Sequence, residues 1–308
     1  MERIWRMSIP PEAEGVLLRG YLRERLALSS ALLARLKQSE RGILLNGRRA
    51  TVRAVLHAGD VLELELERAD SASPNIIPAE GELDIVYEDE DLLILNKPAR
   101  IPVHPSQGHY GDSLANIAVY HYARRGQNFV FRPVNRLDRG TSGLMAVAKN
   151  AYCHERLIAS LHTGLRREYL AIACGRFAQR TGVIDAPIAR APGSVLRREV
   201  SPSGDPARTH YEVLAERGAF TLLRLRLETG RTHQIRVHLA HMGHPLVGDF
   251  LYGEENRALI DRTALHAAAL SLTQPITGRA LAFRAPLPAD MLRLWRACDK
   301  ERLAAHTV

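Results

Sequence analysis

An aspartate held between two arginines is the segment of this chain best equipped for chemistry. Arg136-Leu137-Asp138-Arg139 runs into Gly140-Thr141-Ser142-Gly143, with Val134-Asn135 before it and the apolar run Leu144 to Ala148 after it. Glycine supplies dihedrals that other residues avoid, and Ser and Thr hydroxyls bond local backbone, so the spacing predicts a tight loop. Flanking positive charge favours the ionised carboxylate. Such an anion beside a cavity can act as a nucleophile toward an electrophilic sugar or base while the arginines hold phosphate. The same composition also suits a solvated turn with one surface ion pair.

The histidines His233, His238, His241 and His244 form a second group. The last three share helical spacing, and imidazole is a common metal ligand. No H-E-x-x-H pattern and no accompanying carboxylate or cysteine set goes with them, so no metal is expected. Cys153, Cys174 and Cys298 are odd in number and lack C-x-x-C spacing. Neither a disulfide framework nor a zinc knuckle is indicated.

These groups need elements to position them. Val61-Leu62-Glu63-Leu64-Glu65-Leu66-Glu67 alternates with period two and predicts a strand closing a unit that begins near Gly15. Within that unit the leucines from Leu22 to Leu36 predict two short helices broken near Leu28, with Ser29 or Ser30 capping the second. Asn46-Gly47 predicts a hairpin turn, with Arg48 and Arg49 on its rim. Residues 68–82, rich in Pro, Ser and Gly, have the composition of a linker. Beyond it, residues 83–87 and 92–97 predict a hairpin around the acidic turn Glu88-Asp89-Glu90-Asp91. Helices are expected over 113–125 and 151–163, and strands over 169–174, 209–215 and 220–228. The body therefore reads as α+β with a largely antiparallel sheet.

The totals are consistent with such a body. A chain of 308 residues holds one large domain or two unequal ones. Hydrophobic residues are 46% and charged ones 25%, and no apolar run is long enough to span a bilayer. Met1-Glu2-Arg3-Ile4-Trp5-Arg6 lacks the apolar core of a signal peptide, so a cytoplasmic location and no membrane partner are expected. A net charge of +8 and a pI near 9.7 point to a polyanionic partner such as nucleic acid.

Two resemblances sharpen this reading. Leu28-Ser29-Ser30, the helix bearing Leu33 and Lys37, Leu45-Asn46-Gly47 and Gly59-Asp60 resemble the alpha-L RNA-binding motif of a ribosomal protein. Such modules often carry Arg where this chain has Ser30, but Arg35, Lys37, Arg48 and Arg49 still offer a basic face to RNA. From Leu83 to about Pro288 the chain resembles the RluA-type pseudouridine synthases. The matching blocks are Asn96-Lys97-Pro98 with Val103-His104-Pro105, Asn135 to Lys149, Arg167-Glu168-Tyr169-Leu170-Ala171, Gly230 to Ala240 with Gly243 to Leu246 and Gly248-Asp249, then Leu265-His266-Ala267 and Phe283 to Pro288.

The resemblance implies isomerisation of uridine to pseudouridine in structured RNA, by a fold with flanking helices and a central cleft. That reaction involves neither redox change nor net hydrolysis, so no cofactor is expected. The implied catalytic residues are Asp138, Tyr169 stacked on the target uracil, and Arg236 paired with Asp138 to keep it ionised and aimed. An alternative for Arg236 is the surface of an amphipathic helix over 232–242. Asn135, Arg136, Arg139 and Lys97 become candidate RNA contacts. Many family members carry His where this chain has Asn135, and an acidic residue is frequent where it has Gly140. Asn cannot titrate near neutrality, so a structural or RNA-wedging role is expected at 135. The expected organisation is an RNA-binding domain over 1–67, a linker over 68–82, a catalytic domain over 83–290 and a C-terminal helix and tail over 291–308. The expected partner is RNA, ribosomal rather than transfer RNA, with a monomeric enzyme and no obligate protein partner. The competing class is a non-catalytic RNA-binding assembly factor.

Overall fold

The computed structural model describes residues 2–73, 75–161 and 163–297; Cys298 and the tail after it lie outside the described residues. The alternating segment is strand β4 (Val61–Glu67), in a four-stranded sheet of order β1-β4-β2-β3 with β1 (Arg3–Ser8), β2 (Ile43–Leu45) and β3 (Arg48–Arg49). Asn46 and Gly47 both adopt positive φ, as the tight hairpin requires. Packed on this sheet are α1 (Leu18–Gly20), which runs on into a π-helical turn over Tyr21–Arg25, and α2 (Ser30–Gln38). The Ser29 side chain caps α2 by accepting from the amide of Leu32 at 3.0 Å.

Period-two alternation normally leaves the polar face wet. Here Leu62, Leu64 and Leu66 are buried, and Glu63 and Glu67 are buried as well. Their charges are met by Arg6 at 3.1 Å and by Arg132 at 2.8 Å. The leucine face of this first unit shares one apolar cluster with Leu92, Ile94, Leu144 and Ala146 of the large sheet. Polar ties reinforce the join. Arg3 grips Asp91 in a two-pronged contact at 2.8 and 3.0 Å, and the Tyr152 hydroxyl donates to the carbonyl of Leu26 at 3.0 Å. The described residues between the two sheets contain no helix or strand, but the Asn116 side chain donates to the Ile77 carbonyl at 2.6 Å.

The large sheet comprises β5 (Ile85–Glu88), β6 (Leu92–Lys97), β7 (Arg132–Pro133), β8 (Ser142–Ala148), β9 (Arg166–Cys174), β10 (Thr181–Asp185), β13 (Arg208–Arg217), β14 (Phe220–Leu227), β15 (Leu265–Thr273) and β16 (Ala280–Arg284). Its order is β10-β13-β14-β9-β15-β8-β6-β5, with β16 on β15 and β7 on β8. A small hairpin of β11 (Ile188–Arg190) and β12 (Arg198–Val200) stands apart. Helices α3 (Leu114–Ala123), α4 (Ala151–Ala159), α5 (Gln234–His241) and α6 (Ala289–Ala297) complete the expected α+β architecture. The helix expected over 151–163 ends at Ala159, with turns completing the segment before β9.

Among the described residues all the ladder pairings but one are antiparallel. The exception, β15 on β8, places Ala267 beside Gly143, and Ala267 also faces Tyr169 of β9. Gly143 has φ +111°, and a Cβ there would lie 2.3 Å from the Ala267 carbonyl oxygen. Only glycine permits this approach. It sets the Asp138 loop, which leads into β8, with only β15 between it and the strand that bears Tyr169.

Candidate active site

The loop before β8 is a turn, closed by the Thr141 amide donating to the Asp138 carbonyl at 3.0 Å. Buried side chains from elsewhere fix its backbone. Lys97 at the end of β6 is 0% exposed and directs its ammonium at the carbonyls of Pro98 (2.8 Å), Ile101 (2.9 Å) and Arg139 (3.4 Å). Arg262 donates to the carbonyls of Gly140, Thr263 and Leu265 at 3.1, 3.2 and 3.1 Å while gripping Asp290 of α6 at 2.6 and 2.9 Å. The side-chain Oδ1 of Asn135 accepts from the Ala146 amide at 3.0 Å.

Onto this loop α5 projects Arg236, which is 5% exposed. Its Nε and Nη2 donate to the two oxygens of Asp249, both at 2.7 Å, and its Nη1 reaches Asp138 Oδ2 at 3.3 Å. The Tyr252 ring lies beneath the guanidinium, 5.0 Å from its centre. Burial works against the Arg236 charge, but Asp249 and then Asp138 outweigh it and hold its pKa above the ordinary value. Asp249 also accepts from the amides of Leu251 and Tyr252, so this carboxylate is fully occupied in holding the arginine. Asp138 is held differently. One 3.3 Å contact leaves its Oδ1 without a hydrogen-bond partner among the described residues, free to meet a reacting atom.

His233 adopts a left-handed backbone, φ 59°, at the start of α5, and its Nε2 stands 3.9 Å from Asp138 Oδ2, too far for a hydrogen bond. Burial pushes its pKa down against the pull of Asp138. Tyr169 is buried, and burial raises its phenol pKa against the opposing Arg167, so it stays a neutral, flat surface. Asp138, Tyr169, Arg236, Asn135, Arg136 and Arg167 line a cavity of about 260 Å³, with Leu161, Leu227, Ile235 and Leu265 as apolar walls. A second cavity of about 730 Å³ shares Arg136, Asp138 and Arg236 and extends toward Arg139 and Phe250.

The expected trio of Asp138, Tyr169 and Arg236 thus converges, and Arg236 belongs to a buried helix rather than to the surface of an amphipathic one. Other expectations need correction. Lys97 is sealed inside, with burial pushing its pKa down to about 7, so its ammonium braces the loop and does not meet RNA. Asn135 is also buried and serves β8 through its side-chain oxygen, so it belongs to the wall of the smaller cavity and not to an open basic surface. Arg35 spends its guanidinium on the Leu66 carbonyl at 2.7 Å. Arg136 and Arg139 are exposed at the cleft, although Arg139 donates to the Arg100 carbonyl at 3.1 Å. Lys37, Arg48 and Arg49 are exposed.

The four histidines go separate ways. His238 contacts Thr209 and the Ala186 carbonyl, His244 contacts the Cys174 carbonyl, and His241 faces outward. Among the described residues no three His, Cys, Asp or Glu side chains group as a metal ion would need. Sequence reasoning missed the structural work of Asp249, Tyr252, Arg262 and Asp290. Asp249 lay inside a motif block, but nothing in the chain showed which of many carboxylates an arginine would choose.

A carboxylate left half free beside a braced arginine, above a tyrosine-walled pocket, has the make-up of an enzyme active site. Comparison with known proteins makes that class particular. The family described as RNA pseudouridylate synthase matches residues 91–241. An uncharacterized RNA pseudouridine synthase of Bacillus subtilis is 42% identical over 270 residues, covering 87% of this chain and 95% of that one. The ribosomal large subunit pseudouridine synthase D of Escherichia coli is 43% identical over 247 residues, 76% of this chain and 74% of that one. The solved human RNA pseudouridylate synthase domain containing 1 superposes with a TM-score of 0.58 at 26% identity, covering 74% of this chain and 96% of that one. The chain belongs to the family of RNA pseudouridine synthases and is an isomerase of uridine in RNA.

Proposed function

We propose that the protein isomerises a uridine of ribosomal RNA, with Asp138 as the reacting carboxylate. The observation that carries this reading is the meeting of Asp138 and Arg236 at 3.3 Å, from segments 98 residues apart, on the wall of the cavity that Tyr169 also lines. The ribosomal assignment draws on the named substrate of the Escherichia coli relative. Breaking the bond from ribose to N1 needs a group that engages the sugar or base, and in this reading the Asp138 carboxylate takes that role, its unpaired Oδ1 supporting it. Tyr169 offers its neutral ring to the uracil, which turns in the pocket before rejoining the ribose through C5. Arg136, exposed at the mouth shared by both cavities, takes phosphate or fills the gap left by the extracted base.

The first unit contributes RNA affinity in this reading. Arg49 donates to the backbone carbonyl of Lys37 at 3.2 Å, which holds its guanidinium at the end of α2, and Arg19, Arg23 and Lys37 line a small cavity of the same unit. Because the unit shares an apolar cluster with the large sheet, its role is separable by charge reversal and not by truncation. Lys37→Glu with Arg49→Glu is expected to weaken RNA binding and flatten its salt dependence while sparing turnover of bound RNA. Unchanged affinity across several salt concentrations would remove this role. For the chemistry, Asp138→Asn should abolish release of tritium from C5 of labelled uridine in RNA taken from cells lacking the gene. Native rates in that variant would dismiss Asp138 as the reacting group. The uridine itself is identified by mapping pseudouridine in cells with and without the gene.

A further inference from the structure

Arg167 is 8% exposed and has no hydrogen-bond or ion-pair partner among the described residues; its Nε and Nη2 are buried and unpaired. Leaving a buried guanidinium without a counter-charge costs several kcal/mol, so a native state that tolerates one implies a partner that arrives later. The surroundings indicate which. Arg167 and Tyr169 are two apart on β9 and therefore point to the same face, and both line the cavity of about 260 Å³ beside Asp138. Gly230 leaves room at the guanidinium, since a Cβ there would stand 3.3 Å from Arg167 Nη1. Leu227 and Ile235 supply apolar wall nearby, which strengthens any charge interaction made inside.

We propose that Arg167 is a catalytic residue whose guanidinium binds a carbonyl oxygen of the target uracil and stabilises the negative charge that the base acquires on detachment. This rests on reading the cavity as the uracil pocket. When the bond from C1′ to N1 breaks, the electron pair stays with N1 and spreads onto the carbonyl oxygens, directly to O2 and through C6=C5 to O4. It is returned when C5 bonds to C1′, C5 loses its proton and N1 gains one, so the sum is an isomerisation. A cation fixed against those oxygens is paired most strongly in the detached state, which is where it lowers the barrier. A phosphodiester would bring the same anionic oxygen chemistry, but it is flanked by ribose on both sides and suits the open mouth near Arg136 better than a site this enclosed.

The test compares Arg167→Met, Arg167→Gln and Arg167→Lys with the native enzyme, using tritium release from RNA of cells lacking the gene, filter binding at several salt concentrations, and urea unfolding. Expected for Arg167→Met and Arg167→Gln is a kcat lowered about a hundredfold, RNA affinity and salt slope unchanged, and stability equal to or above native. Arg167→Lys should recover part of kcat. A native kcat in Arg167→Met overturns the proposal. So does a loss of stability or failure to fold in the Met and Gln variants, which would mark a structural arginine. Weaker binding with a smaller salt slope assigns the group to phosphate and overturns it too. Activity retained in Asp138→Asn would count against the carboxylate assignment alone, because the stability and affinity predictions for Arg167 do not depend on it.

Discussion

Two carboxylates touch Arg236, and replacing each by its amide should separate stability from chemistry. Asp249 is 0% exposed and takes two 2.7 Å bonds from the guanidinium. In Asp249→Asn one acceptor oxygen remains, the charge is lost, and an amide NH₂ is turned toward a guanidinium that can only donate. Breaking one side of a buried ion pair costs about 3–5 kcal/mol, a large part of the ~5–15 kcal/mol that holds a domain folded. Asp138 has a side chain 29% exposed and a single contact at 3.3 Å, so Asp138→Asn should cost only about 0–1 kcal/mol. Urea unfolding followed by fluorescence measures both. Tritium release gives the complementary ranking: none for Asp138→Asn, and a reduced rate for Asp249→Asn as Arg236 loses its anchor. Equal stability losses in the two variants, or a native midpoint for Asp249→Asn, would refute the division of labour.

The remaining expectations concern the frame around the site. Burial pushes His266 down to about 4, below its ordinary 6.5, so on acidification the unfolded chain takes up the proton first. Stability should therefore fall as pH drops from 6.5 to 4, by about 3 kcal/mol in total, and in His266→Gln the unfolding midpoint should lose that part of its pH dependence. Lys97→Ala strips the donors from the Pro98, Ile101 and Arg139 carbonyls and should destabilise by about 3 kcal/mol, measured by urea unfolding. Gly143→Ala forces a Cβ to 2.3 Å from the Ala267 carbonyl at a φ of +111°. It should cost more than about 3 kcal/mol, visible as loss of soluble protein or a lowered thermal midpoint.

Local signals were read well where one short segment contained both the cause and its effect. The Ser29 cap, the Asn46-Gly47 hairpin and strand β4 needed only near neighbours. Strand β1 went unforeseen because Arg3-Ile4-Trp5-Arg6-Met7-Ser8 has only weak alternation and exists through its pairing with β4. The acidic turn reads from sequence only as a charged hairpin turn, whereas Asp91 is buried and serves Arg3, Asn150 and Gln274. Residue type predicted that each of these groups is polar. It did not predict which partner would justify burial.

Asp138, Tyr169 and Arg236 could be named as candidates through the resemblance of ordered motif blocks to a family, whereas the Asp138 turn taken by itself suited a solvated ion pair equally well. The chain alone also determined the class of fold, through period and turn chemistry. Only the tertiary structure decided that Lys97 and Asn135 brace the loop from inside, that Asp249 rather than Asp138 is the main partner of Arg236, and that Arg167 lies buried without one. The reason is that sequence specifies how many donors, acceptors and charges a segment carries, whereas desolvation and pairing depend on what the rest of the chain packs against them.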